Sequence, residues 1–116
     1  MTSNFKVISP HRPASAPPIL EISELGRVYR MSQSFLTVLE GVSFDVQPGE
    51  MLCILGPSGC GKTTLLNILS GFLKPSEGWV RLHGKPISHP GPDRCVVFQE
   101  DALFPGLTVV ENMAFG

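Results

Sequence analysis

The chain has 116 residues, of which 42% are hydrophobic, and a net charge of −1. That is enough for one domain with a core. The charge balance gives no electrostatic reason to propose nucleic acid or an anionic membrane surface as a direct partner. The three cysteines, Cys53, Cys60 and Cys95, are odd in number and lack C-x-x-C spacing, which argues against a disulfide framework or a zinc site and for reduced thiols in the cytosol. No run approaches the ~18 apolar residues of a membrane helix, and no apolar stretch follows Lys6 to form a signal peptide.

In chain order, residues 1–18 carry Pro10, Pro13, Pro17 and Pro18 among serines and read as a flexible leader, with His11 solvated. Ile19, Leu20, Ile22, Leu25, Val28 and Tyr29 predict a strand. Residues 30–36 read as a polar turn. Val42, Phe44 and Val46 then alternate with Ser43, Asp45 and Gln47 as a second strand. Pro48-Gly49 marks a turn, and Met51–Leu55 has the short apolar character of a buried parallel strand.

The next stretch organises the rest. Gly56-Pro57-Ser58-Gly59-Cys60-Gly61-Lys62-Thr63-Thr64 fits G-x-x-x-x-G-K-[ST]. With glycine at about 7% of average usage, a chance match in a chain of this length has odds on the order of half a per cent. Leu65, Leu66, Ile68 and Leu69 follow at helical spacing, and Gly71 stands just past the expected helix end. A strand, a glycine loop and a helix in that order aim backbone N–H groups and the positive helix end at phosphate. The glycines permit backbone angles and close approaches that side chains forbid. Lys62 supplies a point charge for the β- and γ-phosphates, and the Thr63 hydroxyl is a Mg²⁺ ligand.

Beyond the helix, Lys74–Gly78 reads as a turn. Trp79, Val80, Leu82 and Ile87 indicate a strand interrupted by Gly84 and Pro86. Residues 88–92 form a proline-rich loop that exposes His89. Arg94–Phe98 reads as a second buried strand, ending at Gln99 and the acidic pair Glu100 and Asp101. Cys53 and Cys95 lie in the two apolar runs and read as small core residues. Thr108 is placed to cap a last short helix through Glu111, itself a surface residue.

Taken together, these residues resemble the N-terminal portion of the ATP-binding subunit of ABC transporters. The resemblance spans residues 19–116. It rests on Tyr29, Gly41-Val42-Ser43-Phe44, Pro48-Gly49-Glu50, the glycine loop, Ser70-Gly71-Phe72, Pro75-Ser76-Glu77-Gly78, Val96-Val97-Phe98-Gln99 and Leu103-Phe104-Pro105, in that order. It implies a P-loop NTPase fold of α/β class. An antiparallel strand pair would be followed by the start of a parallel sheet with the phosphate-loop helix, making an incomplete domain. The resemblance also implies that Gly56 to Thr64 bind MgATP, with Thr64 among the α-phosphate contacts, and that Tyr29 stacks on adenine, where the alternative is packing at a strand edge. Gln99 would touch Mg²⁺ and the attacking water, so that Lys62 and Gln99 would be the catalytic pair.

The same resemblance implies a transmembrane permease, a second copy of the subunit and a separate solute-binding protein as partners, no nucleic acid, and a place at the cytoplasmic face of the membrane. Pro90-Gly91-Pro92-Asp93-Arg94 is similar to the branch that imports nitrate, sulfonates or taurine. Cys95, where that branch has glycine, and Gly106, where it tends to carry tryptophan, depart from it. The family's Walker B Asp with its catalytic Glu, its Leu-Ser-Gly-Gly-Gln signature and its switch histidine are not in this sequence. The readings left open are the ATP-binding part of an importer, which hydrolyses ATP only as a complete protein; a truncated nucleotide-binding fragment without catalysis; a non-transport ABC-type ATPase; and a phosphate-loop kinase of small molecules.

Overall fold

The computed structural model describes residues 5–8, 17–98, 103 and 105–115. Its elements are β1 (Lys6–Ile8), β2 (Leu20–Arg30), β3 (Phe35–Val46), β4 (Cys53–Leu55), α1 (Lys62–Ser70), β5 (Glu77–Leu82), β6 (Lys85–Pro86) and α2 (Val109–Ala114). Four strands form one antiparallel sheet in the order β3-β2-β5-β6, and β1 pairs with β4.

The β2–β3 hairpin is the expected strand pair, but β3 begins at Phe35, within the stretch expected to be a turn. The connection narrows to residues 31–34 and is closed by Met31 N–H donating to the Ser34 carbonyl at 2.8 Å. Phe35, Leu36 and Thr37 are all exposed, so this end of the strand has no buried face to impose an alternating pattern. At the other end, Pro48-Gly49 makes the expected turn. It is fastened twice, by Glu50 N–H on the Gln47 carbonyl at 3.1 Å and Gln47 N–H on Glu50 Oε2 at 2.7 Å.

One face of the sheet and one face of α1 make the core. Ile22, Leu25, Leu39, Val42 and Val80 come from the strands, and Leu65 and Ile68 from the helix. Leu65 and Ile68 are three apart and so share a helix face. The helix ends as the sequence predicts, with Gly71 left-handed at φ 87°.

Residues 74–76, between α1 and β5, then stitch α1 to β2, while Glu77 and Gly78, expected in that turn, already belong to β5. Ser76 N–H donates to the Gly26 carbonyl at 2.8 Å, Val28 N–H donates to Ser76 Oγ at 3.0 Å, and Arg27 Nη1 donates to the Lys74 carbonyl at 2.8 Å. Gly78, at φ 73°, lies where an added Cβ would run into the backbone of Ser23 and Glu24, at the irregular step of the β2–β5 ladder. Only glycine allows the two strands to approach there. The break expected at Gly84 and Pro86 is a hairpin between β5 and β6. Its two central residues, His83 and Gly84, both have positive φ, as a primed two-residue turn requires. Pro86 sits on the outermost strand, where its missing N–H interrupts no ladder.

Three expectations are corrected. Met51–Leu55 does not yield a buried parallel strand: β4 covers three residues, leaves Cys53 and Leu55 exposed, and pairs antiparallel with β1. Lys6–Ile8, inside the stretch expected to be a flexible leader, are that partner. Residues 94–98 take no strand conformation, with Cys95 exposed and Val97 93% exposed. Cys53 and Cys95 are therefore not core residues. A short apolar run signals that burial would be favourable, but it carries no information on partner or direction. Among the described residues no strand lies parallel to β4, and a parallel strand needs covering on both faces to be buried.

The short helix expected after Thr108 is α2. Thr108 Oγ1 accepts from Glu111 N–H at 3.2 Å and Glu111 Oε2 accepts from Thr108 N–H at 2.7 Å, a reciprocal capping box. Glu111 is exposed.

Candidate functional site

The glycine loop joins β4 to α1 and lines a pocket of about 380 Å³. Ser58, Gly59, Gly61, Lys62, Thr63 and Thr64 form its wall together with Val38 from β3. Gly61 is the residue before the helix, at φ 100°. A Cβ there would stand 2.9 Å from the Val38 carbonyl oxygen and 2.9 Å from Leu39 Cδ2. Glycine is thus required twice, by its backbone angle and by the approach of the loop to β3.

No side chain caps the start of α1, and its first turn holds no acidic residue. The first N–H groups of a helix have no partner within it and carry the positive end of its dipole, so this terminus suits an anion. At Gly59 an added Cβ would meet nothing within 4 Å, which leaves the loop open over the pocket. Lys62 Nζ donates to the carbonyls of Gly56 and Pro57, holding the ammonium beside the loop. These residues fit a nucleotide polyphosphate: aligned N–H donors, one fixed positive charge and three hydroxyls, of which Thr63 would serve a Mg²⁺ ion.

The remaining loop residues support this wall from behind. Gly56 follows β4, and a Cβ on it would lie 2.7 Å from Cys60 Sγ and 2.8 Å from Phe5 Cβ. The Pro57 carbonyl accepts from Cys60 N–H at 3.3 Å. Cys60 is half-buried with a free thiol. Tyr29, opposite Leu36 in the β2–β3 register, does not line the pocket. Its ring instead lies under the Arg27 guanidinium, 4.8 Å from the centroid. Gln99 lies outside the described residues, as do Glu100 and Asp101. Among the described residues no group of three or more His, Cys, Asp or Glu is placed to hold a metal, and no helix is long and apolar enough to cross a membrane.

Val38 is the pocket residue that the sequence reading missed. Arg27 pairs with Leu39 and Val28 with Thr37, so Val38 is the extra residue of a β-bulge and has no opposite number on β2. Bulges re-aim side chains, and this one turns Val38 toward the loop. The signal available was the adjacent apolar pair Val38-Leu39, which breaks strict alternation.

A glycine loop of this kind between a strand and a helix defines the phosphate-loop class of folds. The profile of the ABC transporter family matches residues 39–115, and the chain belongs to that family. It is 52% identical over 96 residues to the bicarbonate transport ATP-binding protein CmpD of Synechococcus elongatus, covering 83% of this chain and 34% of that protein. It is 54% identical over 89 residues to the taurine import ATP-binding protein TauB of Burkholderia pseudomallei, covering 77% of this chain and 34% of that one. Among solved structures it resembles an ATP-binding cassette captured as a dimer after hydrolysis with ADP and Pi bound, at a TM-score of 0.66 and 27% identity, over 83% of this chain and 45% of the other. The chain thus spans about a third of the length of the curated relatives it matches.

Proposed function

We propose that this chain supplies the nucleotide-binding portion of an ABC importer ATPase and that the pocket at the start of α1 binds MgATP. The observation that carries the reading is the shared wall of Ser58, Gly59, Gly61, Lys62, Thr63 and Thr64 around one open pocket. In this reading the loop N–H groups and the α1 terminus take the phosphates. Lys62 leaves the Gly56 and Pro57 carbonyls to neutralise the β- and γ-phosphates, Thr63 holds Mg²⁺, and Thr64 contacts the α-phosphate. Mg²⁺ supplies charge neutralisation across the terminal phosphates. Gln99 would join the metal and the attacking water, and Tyr29 would stack on the base.

Hydrolysis needs a residue that activates or orients water. The Walker B Asp, the catalytic Glu and the switch histidine of the family are not in this sequence, so in this reading hydrolysis belongs to the complete protein. The complete protein would work as two copies on a permease at the cytoplasmic membrane face, fed by a solute-binding protein. Similarity to proteins named for bicarbonate and taurine points to a small solute bearing an anionic group as cargo.

The test is calorimetry of MgATP on the purified chain, beside Lys62→Ala. Saturable binding that the substitution abolishes is the expected result. Binding that survives the loss of Lys62 would place the nucleotide elsewhere and refute the assignment.

A further inference from the structure

We propose that Arg27 is a positioning residue for Tyr29, tying the phenol ring to the segment that follows α1 so that it can receive a purine base. The proposal rests on the reading of Tyr29 as the base-stacking aromatic. Its own evidence is the placement of one guanidinium. Arg27 lies two residues before Tyr29 on β2 and places its guanidinium 4.8 Å from the ring centroid, within the range of a cation–π contact. The same group donates from Nη1 to the Lys74 carbonyl at 2.8 Å.

Lys74 belongs to the turn that leaves the phosphate-loop helix. That turn also grips Gly26 and Val28 through Ser76, so both backbone neighbours of Arg27 are fixed. The guanidinium is therefore anchored at one end to the segment following α1 and lies over the ring of Tyr29. A ring has two faces, and with the cation on one, a base must take the other. A cation on the far face draws electron density from the phenol, which favours stacking on an electron-rich base. Arg27 thus ties the position of the base platform to the helix that carries the phosphates.

The protein contains one tyrosine, so the single tyrosine ring system in an NMR spectrum is that of Tyr29 and reports on this contact. Binding of MgATP and of inorganic triphosphate separates the base from the phosphates. Arg27→Gln keeps a donor for the Lys74 carbonyl and removes the charge. It is expected to shift the Tyr29 ring signals and weaken MgATP by about two- to five-fold, the size of an exposed cation–π contact, while triphosphate binding stays unchanged. Arg27→Lys restores a cation and is expected to recover most of the loss. Arg81→Met serves as a control. Arg81 lies over Trp79 at 4.1 Å, beside a different cavity, and its loss should leave both ligands unaffected.

Unmoved Tyr29 signals in Arg27→Gln, an equal loss for ATP and triphosphate, or unfolding of that variant would each overturn the proposal. The underlying reading fails separately. If Tyr29→Ala keeps the full preference for ATP over triphosphate, or if the unsubstituted chain binds neither, the base platform itself is wrong whatever Arg27 does.

Discussion

Replacing Gly61 with alanine separates two costs that the glycine loop imposes, provided Gly59→Ala is measured beside it. Both glycines have positive φ, 100° at Gly61 and 78° at Gly59. A residue with a Cβ in a left-handed conformation costs about 1–2 kcal/mol, and both variants carry that term. The surroundings differ. The Gly61 Cβ would meet the Val38 carbonyl oxygen and Leu39 Cδ2, each at 2.9 Å, whereas at Gly59 nothing lies within 4 Å. The Leu39 methyl group can rotate away, but the Val38 backbone oxygen, held between the paired residues Thr37 and Leu39, cannot. Forcing an atom into such a contact adds about 1–3 kcal/mol. Gly61→Ala should therefore cost roughly 2–5 kcal/mol of stability and Gly59→Ala about 1–2.

Urea unfolding followed through the fluorescence of the single tryptophan, Trp79, reads both values as midpoint shifts at constant slope. Equal shifts, or a larger one for Gly59, would refute the claim that the loop is packed on the β3 bulge.

Two further outcomes follow from burial. Leu65 is fully buried between α1 and the sheet, and Leu65→Ala should destabilise the chain by about 2–5 kcal/mol, whereas Leu66→Ala, at a position 51% exposed, should cost far less. Similar midpoints for the two would show that α1 does not dock by the Leu65–Ile68 face. Cys53 and Cys95 are exposed and Cys60 is half-buried, so a thiol reagent under native conditions should label two sites quickly and a third slowly. Three equal rates, or a fast Cys60 with the other two protected, would contradict the corrected positions of Cys53 and Cys95.

Much of this protein is written in local sequence, because its signals are short-range. The glycine loop and its helix, the left-handed Gly71, the Pro48-Gly49 turn and the Thr108–Glu111 capping box each depend on residues within a few positions of one another, and each stands where the sequence puts it. The order of motifs from Tyr29 to Leu103 was enough to read the family. What the local pattern left open was pairing. Met51–Leu55 and Arg94–Phe98 are apolar in the same way that Ile22 and Val42 are, yet Cys53, Leu55 and Val97 are exposed while Ile22 and Val42 are buried. The difference is the partner: β2 and β3 have each other and α1, whereas among the described residues β4 has only β1 beside it. The Val38 bulge and the three bonds joining residues 74–76 to Gly26, Arg27 and Val28 were likewise decided by tertiary structure. They join residues far apart in the chain, and such contacts depend on a register that the residues themselves do not encode.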